Sequence, residues 1–233
     1  MILLKLNSLI NIPIYIGSTT SYRQKKFINY IYKKYNNKYF FNIFIILKYL
    51  SKAYLYLYIL SKYNRSLLFL NSSIKNFNLI KSLANLTNNF YLNFFYKIDF
   101  LFNWIMFKNK LILLKWLKQL YTFYLKYLFN YLPYNLLIKL YYIYINILKK
   151  FGGLEYMQKL PENIFICNSY SNSLYKNLNL KNFLIISIID INNENTLKNI
   201  SVRIIGNNKS YLAIKFIFNI LLTALLHGSL FNK

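Results

Sequence analysis

Acidic residues are nearly missing from this chain: five Asp and Glu stand against 30 Lys and Arg, a net charge of +25. Such an excess repels itself in a compact fold unless a polyanion neutralises it, so a nucleic acid or an anionic membrane surface is the expected partner. Five scattered carboxylates and a single histidine, His227, also leave no convergent acid/base set for catalysis. Cysteine occurs once, which excludes an intramolecular disulfide and any Cys-based zinc site. That residue, Cys167, lies inside an apolar run, where a thiol reads as inert packing. His227 stands beside Gly228 at the end of an apolar helix and reads as a C-terminal cap or an exposed side chain. Arginine is held to three residues, so phosphate contacts would be point-charge lysine contacts rather than bidentate ones. No metal and no cofactor are expected.

Apolar runs fall short of a membrane span, which takes roughly 20 consecutive residues. The nearest stretch, 216–226, is shorter and carries Asn219 and Thr223. Residues 1–16 lack both a signal-peptide cleavage site and the Arg- and Ser-rich character of a transit peptide. A soluble protein made in the compartment where it works is therefore expected. What the chain has in plenty is Lys, Asn, Ile, Tyr and Phe, the residues that AT-rich codons favour. Codon bias accounts for most of the 25 tyrosines but not for the near-loss of acids. The length suits one domain, or one domain with an appendage.

Residues 14–31 open on Gly17 and a run of hydroxyl and basic side chains. Ser18, Thr19, Thr20 and Ser21 can donate to phosphate, while Arg23, Lys25 and Lys26 supply charge; the bland alternative is a solvated arm. Asn36-Asn37 predicts a turn, Tyr39-Phe40-Phe41 a strand, and Asn42 the N-cap of a helix to about Lys62. Residues 66–70 read as a buried parallel strand, with a helix over 74–86 and a further strand over 91–95. Two helical segments within 108–150, split at Pro133 with Asn135 as cap, predict an antiparallel hairpin. Strands follow at 164–167, 183–189 and 202–205, then a helix over 209–226. Alternating strands and helices specify a parallel sheet with helices on both faces. The glycines that a Rossmann or P-loop site needs are absent after the 66–70 strand.

The segment 148–166, LKKFGGLEYMQKLPENIFI, is the one stretch dense in Gly, Pro and Glu. It reads as a junction. A long helix ends at Gly152-Gly153, where φ > 0 is cheap, and a short helical turn over 154–160 is stopped by Pro161. Met157, Leu160 and Ile164 are expected to pack that turn on the sheet. This block resembles the bacterial-type family of the second ribosomal protein of the small subunit, whose helical hairpin returns to an α/β core through a similar signature. Gly17 with Thr20, Asn42, Asp190 with Asn192, and Gly206 with Asn207 fall in the family's register. A turn-forming or capping role for Asp190 is favoured over a Mg²⁺ or ribose ligand. The family's Arg-Trp-Leu-Gly-Gly signature is not found near Trp104.

The resemblance implies a flavodoxin-like α/β fold with an inserted helical hairpin of coiled-coil type. It divides the chain into a basic arm (1–31), the first part of the core (32–107), the hairpin (108–150) and the second part of the core (151–233). It implies a non-enzymatic constituent of an organellar small subunit that binds rRNA and neighbouring ribosomal proteins, with no small-molecule substrate. Codon bias points to a reduced, apicoplast-type plastid first and a mitochondrion second. The competing readings are a nucleotide-binding α/β enzyme and a basic protein of membrane surfaces. The hairpin, apolar on most faces, is either covered by a partner or made greasy by codon drift.

Overall fold

Residues 9–17, 29–93, 101, 103–127, 133–167, 178, 182–190 and 200–231 are described by a computed structural model. In chain order they form β1 (Ile31–Tyr35), β2 (Lys38–Phe41), α1 (Ile43–Lys62), β3 (Leu67–Leu70), α2 (Phe77–Leu86) and β4 (Phe90–Leu92). Then come α3 (Trp104–Tyr127), α4 (Tyr134–Phe151), β5 (Asn163–Ile166), β6 (Leu184–Ile189), β7 (Val202–Ile205) and α5 (Tyr211–Leu230). β3 to β7 make one parallel sheet in the order β4-β3-β5-β6-β7, the flavodoxin-like doubly wound arrangement. β1 and β2 form a separate antiparallel hairpin.

The strands are short apolar runs with no alternation because both sheet faces are covered. Every residue of β3 and β5 is buried. On one face Phe69 and Phe165 are register partners with ring centroids 5.5 Å apart, and Phe218 of α5 packs on Phe165 at 5.8 Å. Two polar side chains on the strands are satisfied inside this core. Asn163 accepts from the Tyr56 hydroxyl at 2.9 Å, and Ser187 donates to the Ile166 carbonyl at 3.2 Å.

α1 buries Ile46, Leu50, Ala53, Leu57 and Leu60, a stripe at helical spacing, and packs along α5 and against β7. The two helices cross so closely that a Cβ on Gly228 would stand 2.5 Å from the Tyr58 carbonyl oxygen and 2.7 Å from Ser61 Cβ. Ser61 Oγ donates to the Leu225 carbonyl at 2.6 Å across the same contact. Gly228 is therefore a packing glycine inside α5, which runs on to Leu230, and not a helix stop. His227 is correspondingly no C-terminal cap. Its Nδ1 lies 3.3 Å from the Tyr54 hydroxyl and its ring rests on Tyr58 and Phe231. By length and composition α1 and α5 would each suffice to cross a membrane, contrary to the expectation from uninterrupted runs. Lysines inside α1 and a polar Asn219 in α5 interrupt the runs without removing that character, and α5 buries half of its most apolar window inside the fold.

The expected hairpin is present with shifted bounds. α3 starts at Trp104, opened by Asn103, whose side chain accepts from Met106 N at 3.4 Å. α4 starts at Tyr134 with Pro133 in the cap position, so Asn135 lies in the first turn and does not cap it. The helices run antiparallel, with Phe107 against Phe151 at 5.0 Å and Tyr121 against Tyr141 at 5.1 Å. Lys118 of α3 ties them to the junction through Glu155, 2.6 Å away, which raises the Lys118 pKa.

At the junction the expectation of a left-handed glycine fails. Among the described residues no glycine has φ > 0, and Gly152 is helical at φ −57°, ψ −32°. A 3₁₀ turn over Gly152–Leu154 follows α4, and helical structure stops there instead of reaching 160. Gly153 is needed for a different reason: its Cβ would overlap the Tyr91 carbonyl oxygen and come within 2.6 Å of the Tyr91 ring, so β4 leaves no room for a side chain. Leu154, Met157 and Ile164 are buried against the sheet, as is Pro161, whereas Leu160 is only partly buried. Left-handed backbone is supplied by asparagine instead, at Asn36, Asn37, Asn64, Asn88 and Asn182. Asn64 closes α1 as a Schellman motif, with Arg65 N donating to Leu60 O at 3.0 Å and Asn64 N to Ser61 O at 3.1 Å. Asn88 closes α2 in the same way.

Two measurements follow from these backbone positions. Gly153→Ala should lower stability by about 1–3 kcal/mol through overpacking, while Gly152→Ala should change it by less than about 1 kcal/mol. Equal urea midpoints for the two variants would contradict the close approach to Tyr91. Asn64→Ala should cost about 1 kcal/mol and Asn64→Gly should cost nothing, because only the former pays for a Cβ in the left-handed region.

Candidate nucleic-acid interface

The phosphate-directed residues Ser18, Thr19, Thr20, Arg23, Lys25 and Lys26, together with Ser21, lie outside the described residues, as does Asn192. Their anchor points are described. Gly17 N donates to Tyr39 O at 2.8 Å, and Phe41 N donates to Tyr15 O at 2.8 Å, so residues 15–17 add to the edge of β2. At the other end Tyr30 O accepts from Asn42 N at 2.9 Å. The basic segment therefore leaves from and returns to the β1–β2 hairpin.

That hairpin is built by its turn. Asn36 and Asn37 both have positive φ, 43° and 57°, the two-residue geometry whose twist suits antiparallel strands. Its register places Lys33 opposite Phe40 and Tyr35 opposite Lys38 on one face, with Lys34 opposite Tyr39 on the other. Tyr39 and Phe41 turn into the core, and Lys34 Nζ stands 5.4 Å over the Tyr39 ring. Asn42 then caps α1, its Oδ1 accepting from Phe44 N at 3.0 Å. A cleft of about 600 Å³ opens between hairpin and helix, lined by Tyr15, Tyr32, Lys33, Tyr35, Phe40 and Phe44 among others. Among the described residues none of Lys33, Lys34 and Lys38 is ion-paired with a carboxylate. Sequence reading missed this group. Its signal was the alternation of Tyr and Lys about the Asn-Asn turn in IYKKYNNKYF.

The C-terminal ends of the strands, where doubly wound sheets bind nucleotides, hold other chemistry. Asn71 closes a turn on itself, its Oδ1 accepting from Ser73 N at 3.0 Å and its Nδ2 donating to Ser73 O at 2.9 Å. Asn71, Cys167 and Asp190 are all fully buried there. Burial pushes the Cys167 thiol well above its ordinary pKa, which suppresses the thiolate that nucleophilic chemistry needs. Asn207 accepts from Lys209 N at 2.9 Å and Ser210 N at 3.0 Å, a turn that launches α5. Gly206 sits against Ile14, with Ile14 Cγ1 3.1 Å from where its Cβ would be, and Asn207 N donates to Ile14 O at 3.0 Å. Among the described residues no three of His, Cys, Asp and Glu come together to hold a metal.

A doubly wound α/β core with an inserted helical hairpin and a net charge of +25 defines a basic α/β protein suited to a polyanionic partner. The chain belongs to the ribosomal protein S2 family, whose model matches residues 9–228. It is 97% identical over 233 residues, the whole of both chains, to the small ribosomal subunit protein uS2c of Toxoplasma gondii. The family is a structural, non-enzymatic component of the ribosome.

Two expected outcomes test the local geometry. Cys167 should resist iodoacetamide in the native protein at mildly alkaline pH and become reactive only across the urea transition; prompt native labelling would mean an open site. Asn42→Ala should cost about 1 kcal/mol, read from the shift in the thermal midpoint.

Proposed function

We propose that the protein is a structural constituent of the small subunit of a plastid-type ribosome, packing on small-subunit rRNA and on neighbouring ribosomal proteins. The family match across nearly the whole chain carries this reading. The relative's name, small ribosomal subunit protein uS2c, supports the small subunit and the plastid type. Within the plastid type, a reduced, apicoplast-type organelle fits the codon-biased composition.

The rRNA contacts assigned to this chain are lysine–phosphate contacts, sequence-tolerant and salt-sensitive, with Ser18, Thr19, Thr20, Arg23, Lys25 and Lys26 as a leading set. In this reading 1–31 is the RNA-facing arm, 32–107 and 151–233 are the two halves of the core, and 108–150 is the inserted hairpin. The net charge of +25 supports a polyanionic partner for the folded chain.

The protein should co-sediment with the small subunit on gradients and be released by high salt. Recovery only in the free or membrane fraction would overturn the proposal. Changing Arg23, Lys25 and Lys26 together to Ala should weaken subunit binding and flatten its salt dependence by about one counterion-release increment per lost phosphate contact. An unchanged slope would return that segment to solvent.

A further inference from the structure

We propose that the cleft between the β1–β2 hairpin and the first turn of α1 holds an unpaired nucleotide of single-stranded RNA, its base against the aromatic rings and its phosphates on the hairpin lysines. This rests on the rRNA-binding reading above and extends it from lysine–phosphate contacts to the holding of an unstacked base.

Three observations carry it. The rings that rim the cleft are left open: Tyr32 is 78% exposed, Tyr35 62% and Phe44 72%. A base offers such rings a flat π-face of matching size, and stacking of this kind tolerates any base. The floor is fixed, because Phe40 is held in β2 by its strand register and braced by the Tyr15 ring at 6.0 Å. Rings and ammonium groups also alternate on one face, with Lys33 directly across from Phe40 and Lys38 directly across from Tyr35. Each ring on that face therefore has a cation one strand-width away.

Charge then decides the occupant. Among the described residues no carboxylate lines the cleft, and the first turn of α1, whose residues Ile43 and Phe44 line it, carries no acidic residue, so the nearby backbone dipole adds to the positive potential. An apolar peptide would cover the rings but would bury lysine ammonium groups without partners, which is costly. Duplex RNA would satisfy the lysines but keeps its bases stacked inside the helix, out of reach of the rings. A single strand satisfies both.

The test uses the full-length protein and two labelled RNAs, a single strand of about ten nucleotides and a stem with the same number of phosphates. The single strand should bind about tenfold more tightly at equal salt. Tyr32→Leu combined with Tyr35→Leu should remove that advantage while leaving stem affinity and the salt slope unchanged; both side chains are exposed, so the fold is kept. Lys33→Gln combined with Lys38→Gln should weaken both RNAs and reduce the slope by about one to two. Equal affinity for the two RNAs, or an unaltered single-strand preference in the tyrosine variant, overturns the proposal. So does displacement of the single strand by an uncharged apolar peptide in preference to unlabelled RNA. A protein that enters the small subunit but shows no single-strand preference defeats the cleft proposal alone. One that does neither defeats the ribosomal reading too.

Discussion

Both faces of a parallel sheet must be covered, and most of this structure follows from meeting that requirement with few small residues. β3 and β5 are buried from end to end, so neither face can be left to water. α1 and α5 come together over the sheet only because Gly228 allows the Tyr58 backbone to approach. The return from the helical hairpin fits beneath β4 only because Gly153 has no side chain to meet Tyr91. The N-terminal segment completes the enclosure, with Ile14 lying on Gly206 at the end of β7 and Tyr15 bonded to β2. With so few glycines, Gly153, Gly206 and Gly228 serve close approach, and asparagine takes over the left-handed turns. The side chain of Asn tolerates that region better than other L-residues do, at a smaller saving than glycine would bring.

The second constraint is charge. Glu155 is buried at the junction and holds the partly exposed Lys118, an internal tie between hairpin and core. Lysines of the β1–β2 hairpin have no such partner among the described residues and are left facing outward beside aromatic rings. An RNA surface relieves that repulsion, and assembly on it is coupled to the stability of the folded chain. The hairpin helices pose a related problem. α4 has no buried residue, and Tyr134 and Tyr142 of α4 and Ile105 of α3 are open to solvent, so the hairpin exposes apolar rings and chains along its length.

Much of the fold was legible because strong periodicities and strong turn chemistry agree here. The apolar runs LLFL and IFI read as strands covered on both faces, and the apolar spacing from Ile43 to Leu57 as a packed helix. Asn36-Asn37 and the Asn42 cap are local chemistry, and local chemistry can be read from neighbours in the chain. Family resemblance through 148–166 was legible for the same reason, since a junction concentrates its unusual residues in one place. The aromatic cleft was not read, although IYKKYNNKYF contained its parts, because codon bias gave most tyrosines an innocent explanation.

By itself, then, the sequence determined the class of fold, the chain order of strands and helices, the Asn36-Asn37 turn and the Asn42 cap, and the expectation of a polyanionic partner. All of these depend on residues close together in the chain or on a summed charge. Only the tertiary structure decided why Gly153, Gly206 and Gly228 are there, that α5 runs through Gly228, that Leu160 is partly buried while Met157 is sealed, and which rings share a cleft with Lys33. Those outcomes depend on distances between segments far apart in sequence: Tyr91 from Gly153, Tyr58 from Gly228, Tyr15 from Phe40. A backbone dihedral can be anticipated from its own residue type, but a steric gap exists only when two elements have been brought together.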